Sequence, residues 1–170
     1  MKKVVGFLLL LSTILSVGCC IKENEKILVP FNLGDSRKSV VARENLRSVY
    51  YLNTLEVFEE KSSIVITIYD NSFSVCSYVV FSKTGNVIVS EGITPISSKG
   101  IDSYHGKRFS EFEAVFGAMH CDIGSGIYVP AYIANNGNIV TLGLDSNRII
   151  RSISSIDVAQ GTVCVNPIEK

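Results

Sequence analysis

The chain has no surplus of charge of either sign: 16 Lys and Arg stand against 16 Asp and Glu over 170 residues. A nucleic-acid binder needs excess basic side chains to displace counterions, so nucleic acid is excluded as a partner. Runs of like charge are also missing, and no acidic or basic tail is implied. The five cysteines and two histidines contain no CxxC and no other recognisable metal-ligand spacing, so no metal or cofactor is expected. Neither the GxSxG elbow nor the SxxK pair of serine hydrolases is present. The longest apolar run, 4–17, has 14 residues; a helix needs about 20 to span the bilayer. Disorder is excluded too, because 46% of the residues are hydrophobic.

What is present begins at the N-terminus. Lys2 and Lys3 precede VVGFLLLLSTILSV, small residues follow at Ser16 and Gly18, and then comes Cys19. The order of charge, apolar run and small residues is that of an export signal. With Cys19 directly after Gly18, it resembles a bacterial lipoprotein signal, although Ser16 departs from the usual leucine, which stands here as Leu15. The resemblance implies cleavage of residues 1–18, lipidation of Cys19 and a place on the extracytoplasmic face of the cell membrane. Secretion after cleavage at the same Gly18 is the alternative, and an uncleaved anchor is a third. Each buried methylene adds ~0.8 kcal/mol of membrane affinity, so two acyl chains hold where one is marginal. The mature chain keeps 14 basic and 16 acidic residues, and no polybasic patch assists the lipid.

Cys20, Cys76, Cys121 and Cys164 then remain. Four cysteines allow three pairings, which sequence does not rank. Cys76 and Cys164 are expected as small buried apolar residues.

The hydropathy pattern divides the mature chain. Residues 19–37 form a tether; 38–97 and 98–165 are two units, separated within the Ser-, Gly- and Pro-rich stretch 92–107. In the first unit a helix is expected between Ser36 and Leu52, then strands near 55–59, 64–69, 73–81 and 87–89. The second opens with Phe109 to Gly117, where Ser110 and Glu113 fit a capping box and Phe112, Val115 and Phe116 form a stripe. Strands follow at 127–133, 138–144 and 148–156, the last near a sheet edge, with Asn136-Gly137 as a hairpin signal. The expected fold class is α+β, with short helices packed on antiparallel sheet in two tandem helix-plus-meander units. A mature chain of 152 residues buries close to 70% of its unfolded surface and needs no staple.

The stretch GKRFSEFEAVFG at 106–117, followed by strands, resembles a repeat of the SmpA/OmlA (BamE) and β-lactamase-inhibitor-protein-like group, with Ala118-Met119 where many members carry proline. Its continuation through Tyr132 is similar to uncharacterised secreted or lipid-anchored proteins of Gram-positive bacteria, clostridia above all. Residues 38–91 share only the element order. The resemblance implies a small binding or assembly module on an envelope lipoprotein and carries over no partner.

The candidate binding loop is His120, Asp122, Gly124, Ser125 and Gly126, with Tyr128 and Tyr132 beside it and Tyr104 near in sequence. Tyrosine offers large contact area with few torsions to freeze. His120, Asp122 and Ser125 are also the residue types of a hydrolase triad, and an envelope hydrolase with His120 as base is the alternative. Gly124-Ser125-Gly126 as an anion cradle is weaker, since such loops lead into helices and this one leads into a β-run. Asp102, His105, His120 and Asp122 make only a fragmentary metal set. The expectation is a non-enzymatic, membrane-anchored module binding a protein or ligand; a structural spacer is the remaining alternative.

Overall fold

The computed structural model describes Val29, residues 31–158 and the backbone of 164–167. The expected leader, Cys19, Cys20 and the side chain of Cys164 lie outside those residues.

Period-two hydropathy builds two five-stranded antiparallel meanders, each preceded by a short helix, in an α+β fold. In the first, α1 (Arg37–Val41) leads to β1 (Arg47–Leu52), β2 (Leu55–Glu59), β3 (Ser63–Tyr69), β4 (Val75–Ser82) and β5 (Val87–Glu91), paired in sequence order. In the second, a 3-10 turn (Ile101–Tyr104) and α2 (Phe109–Phe116) lead to β6 (Cys121–Asp122), β7 (Pro130–Ile133), β8 (Asn138–Leu144), β9 (Ile150–Asp157) and β10 (Cys164–Pro167). Links this short permit only antiparallel neighbours.

The halves share one core. Val57, Ile64, Ile66, Val79 and Phe81 of the first sheet pack with Ala131, Ile133, Ile139 and Ile156 of the second in a single buried cluster. Strand alternation sends the intervening residues outward. Phe58, Val65, Tyr69 and Val80 meet Phe31, Val40 and Leu46 on the first outer face. Tyr132, Val140, Leu142 and Ile150 meet Phe109, Phe112, Ile96 and Ile101 on the second. The order of layers is therefore α1, sheet, sheet, α2. The stretch 92–107 is part of this assembly, since Ile96 N–H donates to Ile133 O (2.9 Å) and Asn135 N–H to Ile96 O (2.8 Å).

Several expectations are corrected. The helix between Ser36 and Leu52 stops at Val41, and Val49, Tyr50 and Tyr51 become β1. Branched and aromatic residues are poor helix formers, and here they gain a partner in β2. The α2 N-cap is Arg108, whose N–H is accepted by the Glu111 carboxylate at 3.3 Å, while Ser110 lies inside the first turn. Phe109 replaces Val115 in the buried stripe, and Val115 is 63% exposed. Strand β7 begins at Pro130 rather than 127. β9 does lie near the sheet edge, one strand in from it; the edge itself is β10, Cys164–Pro167, which is too short to read as a strand. Cys76 is exposed rather than buried. It is the extra residue of a bulge where Ile68 faces Ser77 and Tyr69 faces Val75, and its thiol donates to Ile68 O at 3.3 Å.

Candidate functional site

The loop between β6 and β7 is held from within by one carboxylate. Asp122 Oδ1 accepts from Gly124 N and Val129 N, each at 2.9 Å. That brings the Gly124 backbone so near the far side of the loop that an added Cβ would sit 1.5 Å from Ile127 O. Only glycine fits such an approach. Gly126 then takes the left-handed conformation at φ +85°. From outside, Asn53 Nδ2 in the β1–β2 turn donates to Asp122 O (3.1 Å) and Gly124 O (3.4 Å). The loop is pinned to the first sheet as well as the second.

This geometry separates the expected site residues into two groups. Tyr132 is fully buried; its hydroxyl donates to Gly117 O at 3.3 Å and its ring packs on Phe112 and His120. It is a core residue, because the strand alternation of β7 turns it inward beneath α2. His120 is structural too. Its Nδ1 accepts from Ile133 N–H at 2.8 Å, so the ring carries its proton on Nε2 toward the Thr94 backbone. Burial pulls its pKa down to about 4 against the favourable pull of Thr94, and the ring is neutral near pH 7.

The triad residues are thus not assembled for catalysis. Asp122 spends its Oδ1 on loop amides, His120 its Nδ1 on Ile133, and Ser125 is exposed at the loop tip. Tyr104 stacks edge-on against Phe112 and Phe116 at 5.3 and 5.5 Å, away from the loop. Among the described residues no group of His, Cys, Asp or Glu could hold a metal, and no helix is long and apolar enough to cross a membrane. Burial pushes the Cys121 thiol up to about 12, with Cys76 and Asp122 nearby acting in the same direction.

What the loop does present is Ile127, 73% exposed, and Tyr128, 41% exposed. The Arg148 guanidinium lies 5.4 Å from the Tyr128 ring and 5.0 Å from Phe109, and the Tyr128 hydroxyl reaches Met119 Sδ at 3.1 Å. Ile127, Tyr128 and Arg148 edge an open cleft of about 540 Å³ whose other wall is Gly143 to Ser146. No family model, curated protein or solved structure matches this chain. The cleft's own chemistry is that of an aliphatic knob and a cation-stacked tyrosine on a fixed loop.

Sequence inspection missed Ile127 and Arg148. Ile127 looks like the start of a β-run, although a lone isoleucine straight after Gly-Ser-Gly and before the strand-opening Pro130 marks a loop tip. Arg148 follows the turn Asp145-Ser146-Asn147 with φ +58°; nothing in one-dimensional spacing pairs it with Tyr128.

Proposed function

We propose that the protein is a non-enzymatic binding module of the bacterial envelope, tethered through acylated Cys19, that docks a protein partner at the Ile127–Tyr128–Arg148 cleft. The observation carrying this reading is a loop fixed at both ends that nevertheless holds an isoleucine 73% exposed beside a tyrosine stacked on an arginine. Pre-ordering such side chains removes much of the entropy cost of binding, and Tyr and Arg are the usual anchors of interfaces. The order of a helix followed by a meander, twice, fits the assembly-module character that the resemblance to the BamE-like group implies.

The test is a photo-crosslinking residue placed at position 127 in cells, with position 115 on the far side of α2 as control. The expected result is one discrete adduct from 127, lost in Tyr128→Ala and Arg148→Ala, and none from 115. Equal labelling from both positions, or none from 127, overturns the reading.

A further inference from the structure

The outer face of the first sheet carries a second unexplained surface. α1 and the β3–β4 turn enclose a groove of about 580 Å³ lined by Arg37, Lys38, Val41, Ala42, Tyr51 and Phe73. Val41, Tyr51 and Phe73 are large apolar residues left exposed there, Phe73 by 51%. Phe73 also adopts φ +58°, a backbone region that a bulky side chain rarely takes. It is forced there. Its N–H donates to Asp70 O (3.0 Å), its carbonyl accepts Arg37 N–H (2.8 Å), and Asp70 Oδ1 takes Ser72 N and Ser74 N at 2.9 Å each. The ring is held at the surface with half of its area open to solvent.

The cations of this groove are placed differently from ordinary surface charges. Arg37 is fastened to the fully buried Glu56 (Nε to Oε2, 2.8 Å) and lies flat over Tyr51, 4.0 Å from the ring centroid. Lys38, exposed beside it, is left to face outward. The surface thus combines aromatic side chains, an aliphatic one and basic heads, the mixture that settles at the boundary between headgroups and acyl chains.

The position of the tether says what covers it. Val29 and Phe31, within the stretch 19–37 expected as a tether, pack into the hydrophobic cluster beneath α1, so the chain enters the fold on this face. Val29 is ten positions after Cys19, a reach of at most ~35 Å. We infer that the α1 groove is the membrane-facing side of the protein: Tyr51, Phe73 and Val41 sit in the lipid headgroup region with Lys38 on its phosphates, and the opposite outer face points away. The inference rests on acylation of Cys19 and deepens that reading by giving the anchored body one orientation.

The chain has no tryptophan, so single reporters can be placed without background. Phe73→Trp, Tyr51→Trp and Val115→Trp versions of the full chain are made in a host that processes the leader, then reconstituted into vesicles of anionic phospholipid brominated near the headgroup. Tryptophans at 73 and 51 are expected to lose fluorescence to the bromines, since side chains on a membrane-bound apolar face sit at the headgroup boundary, and the one at 115 is expected to keep its own. Should Phe73→Trp fail to fold, Tyr51→Trp reads the same face. Protein that floats with the vesicles without quenching at 73 or 51, or with equal quenching at all three, overturns the orientation and leaves the anchor standing. Protein that does not float removes the anchor and the orientation together.

Discussion

The two outer faces of the sandwich are closed by different chemistry. Under α1 a polar clasp is added to the apolar cluster: Arg37 reaches the buried Glu56 with two nitrogens, at 2.8 and 3.1 Å, and Ser48 Oγ adds a third bond at 2.6 Å. Thr67 Oγ1 is buried there with no hydrogen-bond partner among the described residues, and the Tyr69 hydroxyl lies against the Glu56 carboxylate. Burial and the nearby Glu56 charge raise the Tyr69 pKa far above that of free tyrosine. Under α2 the closure is aromatic, with Phe112 packed on Phe116, Tyr104 and Tyr132 at ring distances of 4.4 to 5.3 Å. An aromatic lid contributes through apolar area. A buried ion pair contributes little net stability but is costly to break and fixes geometry. A face that must hold α1 and Phe73 at set angles is well served by the second; a face that only needs covering is served by the first.

The largest test of this contrast is Phe112→Ala. Loss of a fully buried phenylalanine is expected to cost about 3–5 kcal/mol in chemical denaturation, and because both sheets share a core, unfolding should stay a single transition. Two separated transitions would show halves that fold independently. Next comes Glu56→Ala, which strands Arg37; with Arg37 partly open to solvent, the low end of the range for a broken buried pair applies, about 3 kcal/mol. The double variant Glu56→Met with Arg37→Met is expected to recover most of that loss, and failure to recover would mean that the pair is a net stabiliser. Gly124→Ala is smaller in stability, about 1–3 kcal/mol, but it forces Ile127 O away and should abolish crosslinking from position 127.

The smallest effect is a pH dependence. The folded His120 pKa, about 4, lies below the ordinary histidine value of 6.5, so the unfolded chain binds more protons between those limits. Stability therefore falls on acidification from 6.5 toward 4, with about 1 kcal/mol lost by pH 5.5. His120→Gln retains an acceptor for Ile133 and a donor for Thr94, and its melting temperature should vary less over that window. An unchanged slope would remove His120 as the cause.

Much of the fold is legible in the chain. The alternation in 64–69, the Asn136-Gly137 turn and the Phe-rich helix ending at Gly117 each act locally, and each stands where it was expected. What was not legible depends on partners far away in sequence. Val49 to Tyr51 choose a strand because β2 is beside them. Tyr132 and His120 turn inward because α2 and Thr94 cover them. Glu56, one carboxylate within an apolar strand, acquires its meaning only from Arg37, nineteen residues earlier. The outward residues of the candidate loop, Ile127 and Tyr128, are sorted from its inward ones only by three-dimensional packing.

Anchoring and orientation both depend on what lies at residue 19. Mass spectrometry of the protein extracted from the membrane fraction of cells bearing its native leader is the direct measurement. The expected result is a mature N-terminus at Cys19 carrying diacylglycerol on its sulfur. A chain that starts elsewhere, or an unmodified Cys19 in protein recovered from the soluble fraction, would contradict it.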